Sequence, residues 1–223
     1  LYYIAINDRL ASTTTLSGPY VSSVLADAGL VTSNSIGYAS YFTNPVNTGT
    51  YGGDFAADYK LDTRRAGHFL FRLGLNFSDT EIRSHNAVPS ALSSRGITYF
   101  NKYAEQMMLR TAPRNRETLS VTWNSGRWKV FVEEQRYGSV LFLACPTCSA
   151  MQGNPAFLTN MAVTYRLTPQ WNITVGANNL GNQYPTRTYG AAATTTHGQF
   201  KYPYYAPFGI NGGMYYVQTS LNF

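Results

Sequence analysis

The 223-residue chain carries 17 Lys/Arg against 11 Asp/Glu, a net charge of +6, and is 44% hydrophobic but only 13% charged. That hydrophobic share excludes a disordered chain, which needs low hydrophobicity and high charge, and the missing Ala/Glu/Lys/Leu/Arg periodicity argues against a coiled coil. The longest clean apolar run, Val140 to Cys145, is far shorter than the roughly 20 residues of a membrane helix, and two cysteines are too few for a disulfide scaffold, a zinc ribbon or an iron–sulfur site.

Alternation with a period of two dominates the chain, and it predicts strands with one apolar and one polar face. The expected strands cover residues 1–9, 37–60, 67–83, 114–125, 127–138, 157–167, 171–183 and 208–223. In the third, Phe69, Phe71, Leu73, Leu75 and Phe77 alternate with Arg72, Gly74, Asn76 and Ser78. Leu119, Val121 and Trp123 do the same in the fourth, Met161, Val163 and Tyr165 in the sixth, Trp171, Ile173 and Val175 in the seventh, and Tyr215, Val217 and Leu221 in the last. Between the first two strands, residues 20–30 predict a short amphipathic helix, and residues 99–110 predict a second one before the fourth strand.

Connections alternate in length. Asn124 to Arg127 and Thr168 to Gln170 are tight turns, and a charged turn runs from Lys60 to His68. The others are long, roughly residues 9–36, 84–112, 138–156 and 184–208. Alternating short and long connections between strands of about ten residues describe a transmembrane antiparallel β-barrel with short periplasmic turns and long outer loops. An even strand count then puts both chain ends on the periplasmic side. Trp123, Trp128 and Trp171 flank the short turns with Tyr59 and Tyr165 nearby, as aromatic girdles at a water–lipid boundary do. A sandwich core is the competing reading of these rings, but it does not require tryptophans at turns. The long second strand is expected to project beyond the bilayer.

The residues carry no catalytic pattern, so no enzyme and no cofactor are expected. His68, His85 and His197 are far apart, and no His-x-x-x-His, Gly-x-Ser-x-Gly or phosphate-cradling loop is present. Glu133 and Glu134 are adjacent in a strand and point to opposite faces; parity places Glu133 in the lumen and Glu134 near the outer rim. Basic residues are scattered singly or in pairs, against a nucleic-acid footprint. Asp54, Asp58, Lys60, Arg72, Lys129, Glu133 and Arg166 share the polar parity and are candidate lumen residues, contacting a plug or substrate or simply forming a wet wall. Tyr99, Tyr103, Tyr189 and Tyr204 are candidate loop contacts to a ligand, since tyrosine offers apolar area and a hydroxyl at low entropic cost; packing the loops together is the alternative role. Cys145-Pro-Thr-Cys148 lies in a long loop. In an oxidising compartment it reads as a loop disulfide rather than a thioredoxin-like redox pair, and a metal pair lacks two further ligands nearby.

Three segments resemble TonB-dependent outer-membrane receptors. The run Thr168-Pro-Gln-Trp-Asn-Ile-Thr-Val-Gly-Ala-Asn-Asn-Leu180, followed by Pro185, resembles that family's penultimate strand and its Asn-Leu ending. Pro207-Phe-Gly-Ile-Asn-Gly-Gly-Met-Tyr-Tyr-Val217 with Phe223 resembles its closing strand. Phe42-Thr-Asn-Pro-Val-Asn-Thr48 with Gly52-Gly-Asp-Phe55 resembles its Phe-Thr-Asn…Gly-Val-Asp/Glu segment, with Gly53 in place of Val, and Gly181 stands where the family usually has Phe. Pro113-Arg114-Asn115 and Arg136-Tyr137-Gly138 fit as well.

The resemblance implies that residues 1–223 are the last eight strands of a 22-stranded barrel, with the plug, its TonB box and the earlier strands upstream. The chain's abrupt opening in Leu-Tyr-Tyr-Ile agrees with that expectation. It further implies outer-membrane uptake of a scarce ligand such as a ferric siderophore, cobalamin, a metal complex or an oligosaccharide. Implied partners are outer-membrane lipid and lipopolysaccharide, the remaining barrel and plug, the TonB complex, and the assembly machinery that reads a terminal Phe, here Phe223. An independent small barrel with a structural or adhesin role is the alternative.

Overall fold

The computed structural model describes residues 1–27, 29, 38–143, 148–189, 201–203 and 205–222. In chain order they form β1 (Tyr2–Ser12), β2 (Leu16–Ser17), α1 (Pro19–Asp27), β3 (Tyr38–Ala39), β4 (Phe42–Thr63), β5 (Gly67–His85), α2 (Ser90–Ser93) and α3 (Lys102–Arg110). Then come β6 (Asn115–Ser125), β7 (Trp128–Tyr137), β8 (Val140–Phe142), β9 (Met151–Gly153), β10 (Ala156–Arg166), β11 (Trp171–Asn178) and β12 (Met214–Leu221). Eight strands make one antiparallel sheet in the order β1-β4-β5-β6-β7-β10-β11-β12, a meander in which each long strand pairs with the next. The pairs β2–β3 and β8–β9 are two small sheets inside the long connections.

The register joins the apolar parities of neighbouring strands into one continuous face. Phe69, Phe71 and Leu73 pair with Trp123, Val121 and Leu119, and Val121 pairs with Val132. From there Val132 pairs with Met161, Met161 with Ala177 and Ala177 with Tyr215. This face stays open: Phe55, Tyr59, Phe77, Leu119, Val175 and Val217 are all exposed. Large apolar patches on a soluble monomer are rare, so this sheet face is built for an apolar surrounding.

Rings gather at the short-turn end of that face. Trp128 meets Tyr165 with centroids 4.6 Å apart, and Phe69 meets Trp123 at 6.4 Å. Two of the three indole N–H groups bind an oxygen: Trp171 Nε1 donates to Thr219 Oγ1 at 2.6 Å and Trp123 Nε1 to the Ala66 carbonyl at 2.5 Å. An apolar ring body with a satisfied polar edge suits a membrane interface.

The turn between β4 and β5 is tighter than the expected Lys60–His68 span, because the strands run on to Thr63 and Gly67. Thr63 Oγ1 accepts from Ala66 N at 3.0 Å and donates to the Gly67 carbonyl at 2.9 Å. Gly67 sits at φ +89°, and a Cβ there would run into the Asn124 carbonyl of the neighbouring turn. Gly67→Ala therefore forces an L-residue into left-handed backbone, costing about 1–2 kcal/mol before the clash is counted. The expected outcome is a lower temperature for loss of the compact band on a gel of unboiled, detergent-solubilised protein.

Strand ends depart from expectation where asparagine or glycine turns the backbone. Residues 179–183 are not strand: Asn179 and Asn182 take φ +54° and +51°. The Asn179 amide closes the bend on Gln183, accepting from its N–H at 2.8 Å and donating to its carbonyl at 2.7 Å. Residues 208–213 are not strand either; Gly212 lies at φ +73°, and β12 begins at Met214. In the second expected strand, residues 40 and 41 interrupt β3 and β4. β1 continues to Ser12 through two irregularities flanking Arg9, beside Asp8 at φ +52°. The expected helices appear as α1 and α3. Asn101 caps α3, its side-chain oxygen accepting from Tyr103 N and Ala104 N.

The hydrophobic core lies in the long connections. Leu16, Val21, Leu92, Tyr99 and Phe100 come from the β1–β4 and β5–β6 connections and bury themselves around Val46 of β4. Phe142 and Met151, from the β7–β10 connection, pack against Tyr205 of the β11–β12 connection. The Tyr205 hydroxyl stands 3.8 Å from Met107 Sδ of α3, the helix whose Ala104 and Met108 pack against the first cluster. Four connections thus assemble in pairs into a cap at one end of the sheet.

Candidate functional site

The polar face of the sheet carries the charges that sequence parity grouped. Asp54, Asp58, Arg72, Lys129, Glu133 and Arg166 all share it by register. Arg72 Nε lies 3.5 Å from Asp58 Oδ2, and Asn76 donates to Asp54 at 2.6 Å. Arg166 Nη2 reaches the Gly126 carbonyl at 3.1 Å, close to the short turns. Glu133 Oε1 accepts from Gln135 Nε2 at 2.6 Å and from Asn160 Nδ2 at 2.9 Å. Gln135 Oε1 in turn accepts from Arg116 Nη2 at 3.1 Å and from the Tyr137 hydroxyl at 2.9 Å. Arg116 stacks 4.9 Å over the Tyr137 ring. Sequence reading put Gln135 on the lumen parity with Glu133 but did not assign Arg116 or Tyr137 to that face; the shared parity of residues 133, 135 and 137 on β7 was the available signal for Tyr137. Glu134 faces the other way and accepts from Thr159 Oγ1 at 2.6 Å.

Two sizeable clefts open in the cap among the described residues. One, of about 450 Å³, opens between the first two connections and is lined by Thr14, Thr15, Tyr20, Thr98, Asn101 and Tyr103. Its floor is braced by Tyr99, whose carbonyl accepts from both N and Oγ1 of Thr14. The other, of about 560 Å³, lies beneath α3 and is lined among others by Gln106, Arg110, Arg114, Leu141 and Gln152. α3 is tied to the sheet by His85 Nε2, 2.8 Å from Glu105 Oε1. At the cap's base, burial and then the neighbouring Tyr99 push the Tyr41 phenol above its ordinary pKa.

The loop tyrosines separate into different roles. Tyr103 is half-buried on the wall of the first cleft. Tyr189 is 56% exposed and is not among the residues lining either cleft. Tyr99 is only 3% exposed, and its ring packs in the loop core. Tyr204, Phe223 and Cys145 lie outside the described residues; Cys148 is disulfide-bonded. His68 pairs with Asp62 at 2.5 Å on an exposed turn. Among the described residues no three His, Cys, Asp or Glu side chains converge to hold a metal ion.

Residues 1–180 match the family model described as TonB dependent receptor-like, beta-barrel. No curated protein matches. Among solved structures, the chain superposes on the copper transporter OprC with a TM-score of 0.56 at 13% identity, covering 99% of this chain and 28% of that one. It superposes on a mutant of the ferric enterobactin receptor PfeA from Pseudomonas aeruginosa with a TM-score of 0.54 at 12% identity, covering 99% and 28%. With the pyoverdine outer membrane receptor FpvA from Pseudomonas aeruginosa PAO1 the values are 0.51, 13%, 99% and 26%. The chain therefore spans about a quarter of the length of these structures. No helix among the described residues is long and apolar enough to cross a membrane, and strands are how this fold crosses. With an open apolar sheet face, ring girdles at the short turns and a family match over most of its length, the chain belongs to the TonB-dependent receptor β-barrel family.

Proposed function

We propose that this chain is the C-terminal arc of a 22-stranded receptor barrel importing a scarce ligand that passes porins poorly. The observation that carries the reading is the pairing of an apolar sheet face with a cleft-bearing cap at the end opposite the short turns. An eight-stranded sheet ending at β1 and β12 also leaves two strand edges, and a bilayer does not tolerate open edges; further strands on both sides satisfy them. The polar face lines the barrel interior around a plug, and Lys60, Lys129 and Arg166 near the short turns face that plug. Energy comes from the TonB complex acting on the plug through its TonB box, so these residues supply wall and loops. Cys148 pairs with Cys145 to pin the β7–β10 loop, Tyr189 and Tyr204 contribute to the ligand surface with Tyr103, and Phe223 serves the assembly machinery.

The copper, enterobactin and pyoverdine receptors named above make metal complexes the first ligands to test. Cells carrying the full-length receptor as their sole uptake route are given radiolabelled copper, ferric catecholate and ferric hydroxamate siderophores, cobalamin and an oligosaccharide. Accumulation of one of them, abolished by a protonophore, is the expected result; accumulation of none, or uptake insensitive to the protonophore, contradicts it. For the ligand that is taken up, Tyr20→Ala with Tyr103→Ala is expected to raise the half-saturating concentration about tenfold or more, the loss of over 1 kcal/mol typical of aromatic anchors.

A further inference from the structure

The outward apolar band does not have one height around the arc. Counting along each strand from its own ring at the short-turn end removes the stagger between strands. On β5 the outward positions run Phe69, Phe71, Leu73, Leu75 and Phe77, and the first charge is Asp79, ten residues on. On β6 the first is Glu117, six residues beyond Trp123. On β7 it is Glu134, six beyond Trp128, and on β10 the first polar side chain is Thr159, six beyond Tyr165. β6, β7 and β10 therefore meet their first outward polar side chain four residues early, about 14 Å along a strand and on the order of 10 Å in height at a tilt of about 40°; on β10 one exposed ring, Phe157, lies beyond it with Arg136 over its face.

The polar groups in this notch bind one another laterally. Arg136 Nη1 lies 2.7 Å from Glu117 Oε1, and Thr159 donates to Glu134 at 2.6 Å. Glu134 has no cation partner among the described residues, and a carboxylate without one is costly against acyl chains at depth but nearly free at the interface. On the neighbouring strands the equivalent depth is lined by Phe55 and Leu75, a cross-strand pair of apolar side chains.

We infer that the outer-leaflet headgroups and their water descend onto β6, β7 and β10, so that the hydrocarbon layer is thinner against this arc than against β4 and β5. The barrel meets the mismatch by thinning the bilayer locally, the ordinary response to a short apolar span. This inference rests on the membrane reading of the apolar face.

The test uses the full-length receptor in lipid bilayers, with Cys145 and Cys148 left in place and one spin label at Thr159→Cys or at Leu75→Cys, positions equally far from their girdle rings. Accessibility is read with oxygen, which concentrates in hydrocarbon, and with a water-soluble nickel chelate. The expected result is an oxygen-rich environment at 75 and a several-fold higher nickel-to-oxygen ratio at 159. Adding Glu134→Leu is expected to lower that ratio at 159. Equal ratios at the two sites overturn the thinning. So does exclusion of both relaxants at 159, which means that protein covers the notch. An oxygen-poor, nickel-accessible label at 75 instead overturns the lipid-facing assignment itself, a failure distinct from the others.

Discussion

Leu73→Arg is expected to cost the folded barrel about 2–4 kcal/mol, while Gly74→Arg, one residue along, costs little. Leu73 lies mid-strand on the apolar face, paired with Ala57 on one side and Leu119 on the other. Both of its cross-strand partners are apolar, so a guanidinium there is drawn into hydrocarbon. Gly74 points to the polar face between Ala56 and Thr118, and a Cβ there meets nothing within 4 Å. The new side chain can extend into water or toward polar neighbours, and strand propensity improves when glycine is removed. Reversible unfolding in urea from lipid vesicles measures both. Equal costs, or the larger cost at position 74, would mean that the two faces are assigned the wrong way round.

Phe100→Ala is the second substitution with a large expected effect, about 3–5 kcal/mol for a buried phenylalanine, confined to the cap. Phe100 is 6% exposed and packs in the cluster that includes Leu16, Val21 and Leu92. The sheet contributes only Val46 to that cluster's buried members, so strand pairing survives when the cluster loosens. Limited proteolysis is expected to cut between residues 86 and 114 at far lower protease concentration, while the heat-resistant mobility of the barrel is unchanged. Tyr189→Ala, at a 56% exposed ring, is expected to stay within about 0.5 kcal/mol of the parent and serves as the control. A cap that resists protease equally in both variants contradicts the assignment of a loop core.

Parity carried most of the sheet, because a strand's period is a local property that needs no knowledge of its partner. Phe69 to Phe77 and Trp123 to Leu119 fell on the same face as soon as they were paired, and Glu133 and Glu134 separated as their adjacency required. Strand ends were less legible. Asn179 falls inside the run 171–183 that reads as strand; only its left-handed backbone and its pair of hydrogen bonds to Gln183 show that the strand has stopped. Asp8 is similar: its own N–H binds Asn47, and its carboxylate binds Asn86, 78 positions away, so the irregularity in β1 depends on a residue of β4 and on one just past the end of β5.

The cap was the part that sequence reading left open, and the reason is long-range burial. Tyr99 and Tyr103 are equivalent as letters. Tyr99 is covered because residues 16 and 21 arrive from a different connection, whereas Tyr103 lies on the cleft side of the capped helix. Arg116 escaped attention because its partners, Gln135 and Tyr137, sit across a hairpin.

The central claim, that these eight strands are an arc of a larger lipid-spanning barrel, is tested most directly by the intact mass of the polypeptide that carries them. The protein is extracted in detergent from outer membranes, denatured and reduced. A mass several-fold above the 24.7 kDa of these residues is the predicted result, with the added sequence supplying the remaining strands and the plug. A polypeptide of 24.7 kDa from the same membranes would contradict the claim, because the eight strands would then have to close on themselves.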